Sequence, residues 1–381
     1  MTKDAEHVED EDADGAYSTL SPLDGADFGG DIEPGRTTLL ADMLETYFID
    51  LEAGVPPVQW PVGEGWGTLA FRPHSVMVFG GPPNVGKTPL TMNLTWQAMQ
   101  RTPSLRVLVA NNESMVPELV EMLTAMLGGI NLRDVQARDR GRCTPEKLAV
   151  ARAALQSVAD RIEFMEIPFT LEQVVERADA FRADIVVIDT LQKLRLEGYD
   201  GEVGDRVGRI MPMLRDLASR GPCVVAAAQI SREGVKHLQG RVGRTTYDER
   251  DTAVFLHSSE IESSCNDAFL LAYEKGAHVY QTPDGEYQPL PMWLHHVKAR
   301  NTLKTNIPLL FDGRYQKFTV RSVEKAALKP PQKRGGETRG PVSPATGVPA
   351  SPRPPAPPKP HTPKTTHQAH GGSDADHEWV T

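Results

Sequence analysis

A glycine-rich octapeptide has the residue types and spacing that most clearly suggest chemistry. Its residues are Gly81, Pro82, Pro83, Asn84, Val85, Gly86, Lys87 and Thr88. It follows an apolar, β-branched run and opens a helical pattern, so its backbone N–H groups and the helix N-terminus can surround a phosphate. Lys87 can reach the outer phosphates, and the Thr88 hydroxyl can bind Mg²⁺. The sequence therefore predicts a P-loop that binds ATP with Mg²⁺.

Two acidic residues end strand patterns and could complete this site. Residues 185–188 are all apolar and lead into Asp189, and the run 106–110 is followed shortly by Glu113. Because the carboxyl ends of parallel strands meet at one edge of a sheet, Asp189 is predicted to be a Walker B carboxylate that holds Mg²⁺. Glu113 could polarise the water that attacks the γ-phosphate. A plain helix-cap role is the other interpretation of both acids.

A glutamine ends a further strand pattern, at residues 223–228. Gln229 could contact the γ-phosphate and transmit its loss to the loop that follows. A structural amide that bonds to this loop is the alternative interpretation.

The elements that must position these side chains form an alternating pattern. Short apolar runs predict strands at residues 76–80, 106–110, 162–166, 185–189, 223–228, 268–273, 293–298 and 307–311. Helical patterns lie near residues 88–101, 115–127, 144–159, 171–182 and 204–220. Buried strands alternating with helices predict an α/β fold with a mainly parallel central sheet. The later strands are joined by short connections, which predicts an antiparallel C-terminal extension.

Composition divides the chain into a core and flanking segments. Residues 1–35 are acidic and poor in large apolar side chains, so we expect a disordered tail. Residues 36–75 predict a linker helix and lead-in segment, either packed on the core or docked on a neighbouring subunit. Residues 76–320 are expected to form the core domain. Residues 326–381 are rich in proline and lysine and predict a second disordered tail, which either solubilises the chain or touches nucleic acid weakly.

Overall charge and cysteine content narrow the protein classes. A formal net charge of −10 at pH 7 excludes a protein whose entire surface binds nucleic acid, although a local basic channel is compatible with it. Cys143, Cys223 and Cys265 lack metal-ligand spacing and are expected to be free thiols. The sequence has neither a signal-peptide pattern nor an apolar run of about 20 residues. We therefore expect a soluble, cytoplasmic protein without membrane association.

Five spaced motifs resemble the ATPase domain of the DnaB-type (superfamily 4) hexameric replicative helicases. They are the P-loop after its strand, the strand ending near Glu113, Ile-Asp-Thr-Leu-Gln at 188–192, Ala-Gln-Ile-Ser-Arg at 228–232 and Lys-Ala-Arg-Asn at 298–301. The similarity covers residues 70–318, roughly. The resemblance implies that the predicted core is a RecA-like ATPase domain. It also implies a homo-oligomeric ring, a hexamer, with ATP bound at each subunit boundary.

The resemblance also implies roles for individual residues. Glu113 would be the catalytic base and Gln229 the γ-phosphate sensor. Lys298 and Arg300 would reach the γ-phosphate bound by the neighbouring subunit, unless they are simply the basic end of a solvated strand. Glu262 and Asp267 match the family's Ile-Glu-x4-Asp stretch.

Two loops would line a central channel by the same resemblance. Residues 195–206 are mostly acidic and suit phosphate binding poorly. Residues 232–258 are basic and glycine-rich, with Lys236, Arg241 and Arg244 as candidate contacts to single-stranded DNA. A merely solvated loop is the alternative.

Several departures from the family pattern bear on the functional expectation. Asn111-Asn112-Glu113 replaces Ser-Leu-Glu, and Thr-Leu-Gln-Lys at 190–193 replaces Tyr-Leu-Gln followed by an apolar residue. The 75 leading residues look too short and polar for the family's helical, primase-engaging domain. We expect a plasmid- or phage-type DNA helicase or translocase acting in replication. The alternatives are a RecA- or KaiC-like ATPase without unwinding activity and an ATP-gated adaptor or loader of replication proteins.

Overall fold

A twisted sheet with helices on both faces forms the centre of the fold. The computed structural model describes residues 37, 39–231, 258–274, 287–300 and 302–321. Within these residues the helices are α1 (Leu40–Glu52), α2 (Lys87–Arg101), α3 (Val116–Gly128), α4 (Leu132–Gln136), α5 (Pro145–Gln156), α6 (Leu171–Phe181), α7 (Val203–Ser219) and α8 (Ser258–Ser264). A 3-10 turn covers Leu191–Lys193.

The strands of the described residues fall into a small ribbon and a large sheet. The ribbon pairs β1 (Trp60–Pro61) with β2 (Ala70–Phe71). The large sheet contains β3 (Ser75–Gly81), β4 (Val107–Asn111), β5 (Ile162–Phe164), β6 (Ile185–Asp189), β7 (Cys223–Gln229), β8 (Asp267–Tyr273), β9 (Leu290–Ala299), β10 (Ile307–Asp312) and β11 (Lys317–Val320).

The order of the strands brings the predicted site residues to neighbouring positions. Across the sheet the order is β11-β10-β9-β8-β3-β7-β6-β4-β5. The six strands from β8 to β5 are parallel. The strands β9, β10 and β11 extend the sheet in antiparallel fashion. The fold is therefore a RecA-like α/β fold with a mainly parallel sheet and an antiparallel C-terminal extension, which confirms the predicted class.

The central strands are buried on both faces, as expected for parallel strands covered by helices. Every residue of β3 is buried, and its side chains alternate between two apolar clusters. Met77 and Phe79 belong to the cluster that includes α2 and α3 residues. Val76 and Val78 belong to the cluster on the other face, with residues of α6 and α7. A rigid, doubly covered sheet can hold strand-end side chains at fixed separations.

The eight predicted strands are all present, with ends shifted by at most three residues. The short elements α4, α8, β1, β2 and β11 and the 3-10 turn were not predicted from the sequence. The helix α1 lies within the segment expected to hold a linker helix. The predicted domain boundaries stay predictions. Both predicted tails lie outside the described residues. No helix of the described residues is long and apolar enough to cross a membrane.

Candidate functional site

The P-loop connects the end of β3 to the start of α2, as the sequence predicts. At Gly81 a Cβ atom would lie 2.7 Å from Val85 Cγ1 and 3.0 Å from the carbonyl oxygen of Leu271, so a side chain does not fit. Gly86 precedes α2 with φ of 99°, a backbone conformation that favours glycine. Each of these two positions of the motif thus favours glycine for its own reason. Gly81 is closely packed, and Gly86 has a left-handed backbone conformation.

The Lys87 side chain folds back over the loop. Its Nζ donates hydrogen bonds to the carbonyl oxygens of Gly81, at 3.3 Å, and Pro82, at 3.0 Å. Burial lowers the pKa of Lys87, while the nearby charge of Asp189 acts in the opposite direction. These carbonyl contacts keep an ammonium group at the mouth of the loop, where a phosphate could replace its partners.

Thr88 in the first turn of α2 and Asp189 at the end of β6 lie side by side. The Thr88 hydroxyl donates a hydrogen bond to Asp189 Oδ2. Asp189 is 2% exposed, and burial raises its pKa to about 6, against the opposing effect of the Thr88 hydrogen bond. A hydroxyl beside a buried carboxylate is the oxygen pair that suits Mg²⁺, which usually takes one or two protein ligands and completes its shell with phosphate and water.

The Thr88 and Asp189 oxygens are too few to complete the coordination of a metal ion with protein ligands alone. Among the residues that the structure describes, no group of three or more His, Cys, Asp or Glu side chains could hold a metal ion. A hydroxyl and one carboxylate are donors that fit a metal also bound by phosphate oxygens.

The P-loop, Glu113, Asp189 and Gln229 lie at the carboxyl ends of neighbouring strands of the sheet. Gly81 of β3 is in register with Gln229 of β7, and Asn111 of β4 is in register with Asp189 of β6. Since β7 lies between β3 and β6, these strand ends form one row beside the P-loop. The row brings together the side chains that the sequence assigns to metal, water and γ-phosphate.

Asn111 links two of these strand ends and was not identified from the sequence as a site residue. Its Nδ2 donates to Asp189 Oδ2 at 3.1 Å. Its Oδ1 accepts from the backbone N–H groups of Glu113, at 2.9 Å, and Ser114, at 2.7 Å. The buried amide therefore fixes the turn that carries Glu113 relative to Asp189. The departure from the family's serine at this position was the available signal.

Glu113 lies beside these strand ends with its carboxylate directed to a lysine. Glu113 Oε1 is 3.0 Å from Lys193 Nζ, in the 3-10 turn that follows β6. The helix that follows is served by another acid, since the Met115 N–H donates to Glu118 Oε2 at 2.9 Å. Glu118 therefore caps the start of α3, while the role of Glu113 stays a prediction.

A second glutamine ties the turn after β6 to the end of β7. Gln192 Oε1 accepts from the Gln229 N–H at 2.9 Å, and Gln192 Nε2 donates to the Gln229 carbonyl oxygen at 3.3 Å. Both bonds use the backbone of Gln229. Gln192, which the sequence placed in a motif without assigning it a role, is therefore a structural amide, and both interpretations of Gln229 stay predictions.

Arg300 lies towards the opposite end of the central strands from the P-loop, whereas Lys298 is level with the middle of β3, because it pairs with Ala268, which pairs with Val78. The Arg300 N–H donates to the carbonyl oxygen of Asn266 at 3.0 Å, and the Asn266 N–H donates to that of Val76 at 2.7 Å. From Val76 to Gly81 the strand rises by about 16 Å, at about 3.3 Å per residue. The backbone of Arg300 is therefore remote from the P-loop of its own chain.

A buried network fixes the backbone from which Arg300 projects. Asp267 is 1% exposed and is paired with Arg72. Its Oδ1 lies 3.0 Å from His296 Nε2 and accepts a 3.0 Å bond from the Thr302 hydroxyl. Burial alone would raise the pKa of Asp267, but the His296 and Thr302 hydrogen bonds and the Arg72 charge hold it below its usual value. The network joins β8, β9 and the turn after Arg300.

The predicted channel loops are only partly described. Lys236, Arg241 and Arg244 lie outside the described residues, and Glu262 falls within α8. In the acidic loop 195–206, Leu196 is buried, and Arg195 forms a parallel bridge with Thr170. The start of this loop is therefore held against the fold.

Comparison with known proteins adds an independent result. The family model described as DnaB-like helicase C terminal domain matches residues 67–320. Among solved structures, the chain is similar to one described as an ATPase domain, with a TM-score of 0.61 and 16% identity over 75% of this chain and 100% of that one.

A second solved structure is similar over almost the same extent. It is a DnaB-like replicative helicase described with its interactions with primase, with a TM-score of 0.58 and 17% identity over 74% of this chain and 67% of that one. At these identities the two structures support the fold alone. No significant match was found among curated protein sequences. Because the family model covers most of the described core, the chain belongs to the family of DnaB-like helicase C-terminal domains.

Proposed function

We propose that this chain is an ATP-dependent DNA helicase or translocase of plasmid or phage type, which hydrolyses ATP to move on single-stranded DNA during replication. The observation that carries the proposal is that the site residues lie at two opposite ends of the central strands. The P-loop, Asp189 and Glu113 occupy one end, whereas Arg300 occupies the other. In a cytoplasmic ring of identical subunits, the Arg300 end of one subunit would complete the P-loop end of its neighbour.

The P-loop end would bind the nucleotide. The P-loop residues 81–88 would surround the phosphates, and Lys87 would exchange its two carbonyl partners for phosphate oxygens. Thr88 and Asp189 would hold Mg²⁺, which neutralises charge on the phosphates when it is bound. The burial that lowers the pKa of Lys87 also strengthens its interaction with an anion, because the local dielectric constant is low.

Glu113 would act as the general base of hydrolysis. It accepts a proton from water as the water oxygen bonds to the γ-phosphorus. The bond from that phosphorus to the β–γ bridging oxygen breaks, and ADP and inorganic phosphate result. Asn111 would keep the Glu113 turn at a fixed separation from Asp189, so that base and metal ligand act on the same phosphate.

Arg300 and Lys298 of one subunit would stabilise the charge that develops on the γ-phosphate of the next subunit. A guanidinium group presents several donors in one plane, which suits a transferring phosphoryl group. In the isolated chain, Arg300 Nη2 donates to the carbonyl oxygen of Ser263 at 2.6 Å. Assembly would exchange this exposed contact for a phosphate.

The exposed apolar side of α1 supports assembly. Its large side chains are 41–72% exposed at Leu40, Met43, Leu44, Tyr47 and Phe48. An apolar surface of this extent commonly marks a protein contact. We therefore propose that α1 is the linker helix that docks on a neighbouring subunit of the hexamer.

Loss of the γ-phosphate would be transmitted through Gln229 to the loop at 232–258. Lys236, Arg241 and Arg244 would contact the backbone of single-stranded DNA, and the loop would move with it. The solved DnaB-like helicase was described with primase, and we propose replication proteins as the class of macromolecular partner.

An unwinding assay on a forked DNA duplex tests the proposal. The purified chain should separate the strands with ATP and Mg²⁺, and single-stranded DNA should stimulate its hydrolysis of ATP. Hydrolysis without unwinding would favour the RecA- or KaiC-like alternative. Retention of biological activity by Glu113→Gln would favour the adaptor or loader, because a motor needs turnover.

A further inference from the structure

An ion pair joins Lys193 to Glu113 beside the candidate site. Lys193 ends the 3-10 turn that follows Asp189, at a position where the family pattern has an apolar residue. Its Nζ lies 3.0 Å from Glu113 Oε1.

The exposure of the two side chains indicates that the pair contributes little to folding stability. The two side chains are 54% and 33% exposed, for Lys193 and Glu113 respectively. Ion pairs between exposed side chains add little to folding stability, since solvent screens them and ordering two long side chains is costly. An exposed pair can nevertheless restrict the directions in which a carboxylate points.

Glu113 is consequently held at two points. Asn111 Oδ1 accepts the backbone N–H groups of Glu113 and Ser114, which fixes the Cα position. The Glu113 side chain has three further rotatable bonds, and the Lys193 contact restrains its far end. The backbone of Lys193 is itself anchored, because Leu191, two residues before it, and Leu194, directly after it, are fully buried.

We propose that Lys193 is a positioning residue that holds the Glu113 carboxylate in the orientation required to accept a proton from water. This inference rests on the proposed function, in which Glu113 is the general base. Lys193 acts through Glu113 and makes no bond to the reacting atoms. Its removal should therefore slow turnover without weakening ATP binding.

Lys193→Met tests this, because it removes the charge and keeps much of the side-chain length. The kcat for ATP should fall by about tenfold, the order expected when a catalytic group loses its orientation. The KM and the Kd of ATP, measured with a fluorescent ATP analogue, should change by less than about twofold. Lys193→Arg should recover most of the loss.

Arg177→Met is the matched control. Arg177 pairs with Glu163 at comparable exposure, 49% and 28%, and neither residue belongs to the candidate site. This variant should retain the kcat of the parent protein. A loss equal to that of Lys193→Met would overturn the inference, since it would report a general effect of breaking an exposed ion pair.

A double-mutant cycle asks whether Lys193 acts through Glu113. In a Glu113→Gln background, Lys193→Met should change the residual rate by less than about twofold, because the group that it orients is gone. The same fold loss in both backgrounds would overturn the inference. So would an unchanged or increased kcat in the parent background.

The parent protein separates this inference from the proposed function. If the parent hydrolyses ATP and Lys193→Met equals it, the inference alone fails. If the parent hydrolyses no ATP with Mg²⁺ and single-stranded DNA, the proposed function fails and this inference fails with it.

Discussion

Lys87 and Arg300 lie at opposite ends of the central strands of one sheet. Lys87 folds over the carboxyl end of β3 through the carbonyl oxygens of Gly81 and Pro82, whereas the Arg300 backbone is bonded to Asn266 beside the start of β3. The intervening strand is about 16 Å long, which exceeds the reach of an arginine side chain. If Arg300 serves hydrolysis, it must serve the site of another subunit.

Arg300→Ala should therefore leave ATP binding intact and lower turnover by about 10³-fold, because the transition-state charge loses its donor. Mixing Arg300→Ala with Glu113→Gln subunits should restore part of the activity, since some boundaries then combine an intact arginine with an intact base. Steady-state ATPase assays over a range of mixing ratios measure this. Arg220→Ala, which breaks an exposed pair with Asp179, is the control and should match the parent. Strictly additive activities of the mixtures would contradict a shared site.

Asn111→Ala should lower both turnover and stability. The change removes the amide that joins Asp189 to the Glu113 turn, so kcat should fall by about 10-fold to 100-fold. Two backbone N–H groups lose their partner, which should cost about 1–3 kcal/mol of unfolding free energy.

Asn131→Ala supplies the comparison for this variant. Asn131 Oδ1 caps α4 through the Arg133 N–H at 3.0 Å, away from the candidate site. Its loss should cost about 1 kcal/mol and leave kcat unchanged. Urea unfolding and ATPase assays on both variants separate stability from catalysis, and equal effects on kcat would refute the assigned role of Asn111.

Asp267→Asn should destabilise the fold by about 3 kcal/mol at neutral pH, because Arg72 would lose the charge of its buried partner. The folded-state pKa of Asp267 lies below its usual value. Its contribution is therefore complete above the unfolded value near 4 and is lost as the pH falls through the lower folded value. The difference in unfolding free energy between parent and variant should be present at neutral pH and narrow below about pH 4.

Chemical denaturation at several pH values measures this difference. Asp179→Asn serves as the control, since its pair with Arg220 is exposed and should contribute little. A gap between parent and Asp267→Asn that widens on acidification would contradict the assignment of the network.

The sheet and the P-loop could be predicted from the sequence because their signals are local. Buried parallel strands appear as short, continuous apolar runs, and 185–189 is such a run with an acid at its end. The octapeptide at 81–88 combines a spacing with a strand-to-helix context. The octapeptide, Glu113, Asp189 and Gln229 lie at the carboxyl ends of neighbouring strands. The catalytic roles of Glu113 and Gln229 stay predictions.

The contacts between strand ends could not be predicted in the same way. Asn111 and Asp189 are 78 residues apart in sequence, and only the order of strands in the sheet makes them neighbours. Lys193 meets Glu113 for the same reason. The sequence marked both positions as departures from a family pattern, yet the departures acquired a meaning only when the strand order was known.

The most direct test of the account is the binding of ATP with and without Mg²⁺, measured by isothermal titration calorimetry. The parent protein should bind ATP in a Mg²⁺-dependent manner, and Lys87→Ala should abolish the binding. Lys147→Ala, which alters an exposed lysine of α5, should bind like the parent. Absence of Mg²⁺-dependent binding in the parent, or unchanged binding by Lys87→Ala, would contradict the claim that this loop holds the phosphates of ATP.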